Sequence, residues 1–193
     1  SIESMAKEKG ITAAELAYEI LIENDGNNFI YAPLVNYADH TFGVCKKMLD
    51  DKNAIMGLGD GGAHVGFILD AGYPTWLISY WSVKQKAYSM EETVRRLTSD
   101  TANAAGLIDR GLLKVGLKAD INIIDWENVG SSDPFMTQDL PAGGKRLMQH
   151  TKGYVTTIVS GVVTYKNGKF TKERPGTVVK SVKDEEKTLE FIN

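Results

Sequence analysis

The sequence predicts an α/β fold in which parallel βα units lead into a small β module. Three observations carry this reading. The apolar runs Phe29-Ile30-Tyr31-Ala32 and Ala54-Ile55-Met56 are flanked by helical patterns, the arrangement of parallel βα units. From Gly106 onward, frequent glycines punctuate short β-rich runs. Asn167-Gly168 then marks a primed hairpin turn, because both central residues must take positive φ. The change of texture divides the chain into residues 1–106 and 107–193.

The elements follow in order. Residues 1–9 read as an amphipathic helical turn or two. Thr12-Ala13-Ala14-Glu15 is a capping box, Leu16, Ile20 and Leu21 form an apolar stripe, and Gly26 is placed to end that helix. A strand is expected over 29–32, stopped by Pro33. Residues 38–49 read as a helix with Phe42, Cys45, Met48 and Leu49 near one face. A second buried strand is expected over 54–58, running into a glycine-rich loop. Helices follow over about 75–84 and 90–97, the second capped by Ser89 with Glu92. In the second half, 121–124, 154–159 and 162–165 read as strands. Lys180 to Asn193 is charged and suits a solvated helix or a frayed tail.

Composition narrows the function. Lys and Arg total 22 against 25 Asp and Glu, so the net charge is −3, which argues against a nucleic-acid binder. Hydrophobic residues make up 42%, enough for a core. The longest apolar stretch, 66–81, is interrupted by Asp70 and Pro74, so no membrane span is expected. The single Cys45 excludes an internal disulfide framework and a cysteine-built zinc site. A reducing, cytoplasmic setting follows as the default. The first residue is not Met and the chain opens within a helical pattern, so we expect a piece of a longer or processed polypeptide.

The segment richest in chemistry is Gly57-Leu58-Gly59-Asp60-Gly61-Gly62-Ala63-His64. A strand delivers a carboxylate into a loop of glycines, at the strand end where barrels and doubly wound folds place their chemistry. Read structurally, the same loop is a turn whose aspartate bonds to nearby backbone. The glycines also match G-x-G-x-x-G, but no acidic residue follows at the required distance, and Asp60 would sit where a pyrophosphate should. His64 suits either a ligand or a loop cap. Tyr31, Asn36 and Tyr37 suit a pocket lining as well as core and turn roles. Lys145 and Arg146 suit either a carboxylate clamp or a solvated surface pair. His40, His150, Cys45, Trp76 and Trp81 read as structural.

Four stretches together resemble the C-terminal part of an amidohydrolase-superfamily enzyme, nearest to the N-acyl-D-amino-acid deacylases. They are Tyr31-Ala32-Pro33-Leu34-Val35-Asn36-Tyr37, residues 57–66, Gly111-Leu112-Leu113-Lys114-Val115-Gly116-Leu117-Lys118-Ala119-Asp120 with the following Ile121 to Asp125, and Asp139-Leu140-Pro141-Ala142-Gly143-Gly144-Lys145-Arg146.

The resemblance implies the last βα units of a (β/α)8 barrel, a TIM-type barrel, followed by the C-terminal share of a small β-sandwich. It implies a metal-dependent hydrolase acting on a non-peptide C–N bond of an N-acyl amino acid. Asp60 matches the aspartate after the eighth barrel strand, a metal neighbour and general base and acid, with His64 as a second metal candidate. Gly59 stands where relatives carry serine. The family's His-x-His pair is absent, and a complete barrel takes about 250 residues. The zinc of the parent enzyme is therefore not expected to be held by this chain alone, which on this reading is inactive. Open strand edges point to a homo-oligomer. The alternative is a non-catalytic αβ piece held together by self-association.

Overall fold

A computed structural model describes residues 1–33, 35–57 and 64–181. It is a mixed α/β structure whose chain falls into two compact units, Ser1–Asp51 and Lys52–Asn193. The change of texture near Gly106 lies inside the second unit. There it separates helices that end by Ala104 from strands that begin at Ile121.

The first unit is built on two helices, α1 (Ile2–Lys9) and α2 (Ala13–Gly26). Ser1 caps α1 by accepting the Ser4 N–H, and Gly10 closes it at φ 69°. The predicted capping box is present: Thr12 Oγ1 accepts the Glu15 N–H at 3.2 Å and Glu15 accepts the Thr12 N–H at 2.8 Å. That donor pair holds the Glu15 carboxyl below its ordinary range, the Thr12 backbone N–H contributing most. Ala6 and Leu16 are buried where the helices pack. Helical angles stop before the expected Gly26, because Glu23 is extended and Asn24 and Asp25 are left-handed at φ 53° and 56°. Short polar side chains tolerate that conformation. The helix predicted over 38–49 forms only as α3, Gly43–Leu49, because Asp39 and Thr41 spend their bonds on a local turn.

No strand forms at 29–32 or at 54–57, and among the described residues no backbone hydrogen bond joins either run to a neighbour. This corrects the sequence expectation of two adjacent parallel strands. A parallel strand needs a partner beyond a crossover, and the described residues offer these runs none. Leu58 itself lies outside the described residues.

In the second unit, α4 (Tyr73–Trp76) leads into a π-helix, Leu77–Lys84, where an ordinary helix was expected. Its wide turns carry bulky rings: Trp76 stacks on Tyr80 at 4.7 Å, and Trp81 meets both edge-on. Leu77, Ile78 and Trp81 are buried against α5 (Met90–Leu97), which α6 (Ser99–Ala104) follows. Ser89 accepts the Glu92 N–H as predicted. Trp81 is core, whereas Trp76 is 37% exposed.

All strand pairs described are antiparallel. A four-stranded sheet runs in the order β1 (Ile121–Ile124), β6 (Tyr154–Val159), β7 (Val162–Lys166), β8 (Lys169–Phe170). Asn167 and Gly168 turn β7 into β8 at φ 49° and 73°, the primed turn the sequence signalled. Two smaller ladders join β2 (Gly130–Ser131) to β5 (Thr151–Lys152) and β3 (Phe135–Leu140) to β4 (Gly144–Met148). The β3–β4 hairpin was not anticipated, although Pro141-Ala-Gly-Gly between β-prone runs is a hairpin signal. Gly153 must be glycine: at φ 86°, a Cβ there would lie 2.6 Å from Val129 Cα. The tail expectation falls, from residue 182 on, outside the described residues.

Candidate active site

Asp60 and the glycine loop around it, residues 58–63, lie outside the described residues. The chain is described again at His64, which sits at φ 47° and accepts the backbone N–H groups of Phe67 and Ile68 at 2.9 and 3.0 Å. His64 is therefore the corner of a tight turn, with its ring 5.2 Å from that of Phe67. Histidine is among the residues that enter this region most readily.

One main-chain bond ties this corner to another predicted site. The Leu147 N–H donates to the Val65 carbonyl at 2.7 Å, so the residues beside His64 lie along β4, next to Arg146. Two candidates distant in sequence, His64 and the Lys145-Arg146 pair, thus share a neighbourhood. Arg146 is already engaged, because its Nε and Nη2 hold both Asp139 oxygens at 2.7 and 2.6 Å across the β3–β4 hairpin. That two-pronged bond holds the Asp139 carboxyl below the usual aspartate range and pushes Arg146 up. A substrate carboxylate at Arg146 would have to compete with Asp139. Lys145 is exposed. Sequence reasoning missed Asp139: Arg146 lies opposite Thr137 in the β3–β4 ladder, and the irregular stretch that follows brings Asp139 within its reach.

In the first unit, Asn36 and Tyr37 belong to one small cluster. Asn36 is left-handed at φ 61°, and its carbonyl accepts the Cys45 thiol at 3.7 Å. The Tyr37 ring lies 5.1 Å from Phe42 and meets His40 edge-on at 6.1 Å. Tyr31 is 82% exposed. The thiol is thus spent on backbone, and Cys45 is half-buried instead of core.

The 111–120 stretch has a structural job. Arg110 bridges Asp109 at 2.9 Å and Asp120 at 2.7 Å. Asp120 also accepts the Ser160 N–H at 2.8 Å, fixing the β6–β7 turn to the start of β1. Gly111 allows the close approach, since a Cβ there would fall 2.8 Å from that of Ala102.

The zinc that the resemblance implies does not fit the described residues. Among them, no three His, Cys, Asp or Glu side chains gather to hold a metal ion, and a catalytic zinc takes three protein ligands. Among the described residues, no helix is long and apolar enough to cross a membrane.

No curated protein and no solved structure compared with the chain matches it significantly. The amidohydrolase family model matches residues 2–165, well over half of the chain. The match runs through the helices of both units, the Asp60 loop, the Arg110–Asp120 bridge, the β3–β4 hairpin and β6 with most of β7, and it carries a hydrolase-type function. The chain belongs to the amidohydrolase family.

Proposed function

We propose that this chain is the C-terminal part of an enzyme that hydrolyses the C–N bond of an N-acyl amino acid, with N-acyl-D-amino acids as its substrate class. The family match over residues 2–165 carries the reading, and the four motif stretches support the narrower class. Residues 29–32 and 54–57, unpaired among the described residues, then pair as (β/α)8 barrel strands only beside neighbours from elsewhere in the enzyme, and the β module is its share of a β-sandwich. Asp60 is the proton carrier. Its carboxylate takes a proton from the attacking water as the C–O bond forms, and passes it to the nitrogen as the C–N bond breaks. His64 is the candidate metal ligand beside Asp60, and the remaining ligands of the zinc come from outside the described residues. The free Cys45 fits a reducing compartment, and we place the enzyme in the cytoplasm.

The test is hydrolysis of N-acetyl-D-amino acids by the product of the whole reading frame that contains this sequence. Asp60→Asn should lower kcat by about 100-fold or more. Undiminished turnover in that variant, or activity confined to other bond types, would contradict the proposal.

A second reading is favoured by one observation: Leu112, Leu113 and Val115 are strongly exposed on a loop pinned by the Arg110 bridge. The chain alone would then be a non-catalytic piece that self-associates to cover apolar surface. Light scattering at micromolar concentration should show a dimer or larger species, and a stable monomer would remove this reading.

A further inference from the structure

We infer that the second unit carries a separate binding site for one neutral, hydroxyl-rich ring of monosaccharide size. The site is a cavity of about 380 Å³, near the lower end of the ~300–1,000 Å³ typical of small-molecule pockets. Among the described candidate residues, none of His64, Lys145 and Arg146 lines it.

One wall is a cross-strand row. Asn122 on β1 lies opposite Thr157 on β6, which lies opposite Tyr165 on β7. Thr75, Tyr154 and His150 also line it. Among the described residues, no Asp, Glu, Lys or Arg lines the cavity.

The polar groups are held in place and still have capacity to spare. Thr157 Oγ1 donates to Asn122 Oδ1 at 2.8 Å, which orients the amide and leaves its two N–H donors unspent. The hydroxyls of Thr75 and Tyr154 share one hydrogen bond at 3.0 Å, so one of the two protons remains to be donated. Among the described residues, the Tyr165 hydroxyl and the His150 ring nitrogens make no intramolecular hydrogen bond.

This combination selects against charged ligands. A carboxylate or phosphate would lose hydration and meet no fixed counter-charge. A ring bearing hydroxyls exchanges its water bonds for groups of which the Asn122–Thr157 and Thr75–Tyr154 pairs are already oriented, so less ordering is required there. The Tyr154 and Tyr165 rings give its C–H faces an apolar surface.

The experiment is saturation-transfer NMR and calorimetry with N-acetyl-D-glucosamine and D-glucose as probes, and inorganic phosphate as the charged control. Saturable sugar binding is expected, with a Kd on the order of 1–10 mM. Asn122→Ala and Tyr165→Ala should each weaken it about tenfold, while Val115→Ala, outside the cavity, should leave it unchanged. Because Asn122→Ala removes a support of β1, Tyr165→Phe is read beside it; it deletes one oxygen and should weaken binding about threefold. No saturation up to roughly 50 mM sugar would overturn the inference. So would full affinity in both tyrosine variants, or tighter binding of phosphate than of sugar.

Discussion

Residues 29–32 and β6 are both short runs rich in β-prone side chains, yet only one is a strand. Phe29, Ile30 and Tyr31 stand exposed with no ladder beside them. Tyr154–Val159 is paired on both sides, with β1 and with β7. Propensity does not separate the two. What separates them is whether a partner lies within reach. β7 follows β6 after a two-residue turn at Ser160 and Gly161, both at positive φ, so the hairpin brings its own neighbour. A parallel strand depends on a neighbour reached through a crossover, and residues 29–32 and 54–57 have none among the described residues.

The comparison can be broken most sharply with proline. Thr157→Pro places a residue without an N–H in the central strand, and should cost about 3 kcal/mol or more in urea unfolding. A loss below about 1 kcal/mol would mean that the β6 ladder contributes little. Gly153→Ala, at the entry to β6, should cost about 2 kcal/mol, because the new methyl must push against the Val129 backbone at a positive φ. Wild-type stability in that variant would show that the β5–β6 junction can relax.

A smaller effect concerns acid. Asp139 is held below its ordinary range by the Arg146 guanidinium. Its contribution to the β3–β4 hairpin is therefore complete above the ordinary aspartate value and fades as pH falls through the lower, folded value. Asp139→Asn should remove that part of the acid sensitivity and leave stability near neutral pH only slightly lower, because the pair is partly exposed. An unchanged acid profile would show that the pair is not formed in solution. The smallest effect is expected at Ile30→Pro, within about 0.5 kcal/mol, since no ladder bond is lost there.

The same distinction explains what could be read from the sequence. Features set by a few neighbouring residues were legible: the Thr12–Glu15 capping box, the Ser89 cap, the Asn167-Gly168 turn and the strands around it. Features set by distant packing were not. The Leu77–Lys84 π-helix carries an apolar pattern that an α-helix would also suit, and its i→i+5 bonding, as from the Gln85 N–H to the Tyr80 carbonyl, leaves no mark in the sequence. In the candidate site, the loop bearing Asp60 stood out because a carboxylate among glycines is unusual. The engagement of Arg146 by Asp139 did not, because it depends on the irregular turn end of the β3–β4 hairpin. Neither did the Val65–Leu147 bond that brings the His64 turn to β4.

Amide hydrogen exchange tests the central claim most directly, comparing this chain alone with the same residues inside the product of its whole reading frame. The account predicts protection across Tyr154–Val159 and Val162–Lys166 in both. At residues 29–32 and 54–57 it predicts rapid exchange in the chain alone and, on the proposed reading of a barrel completed elsewhere, strong protection in the product of the whole reading frame. Protection of those two runs in the chain alone, or its absence in the product of the whole reading frame, would contradict the account.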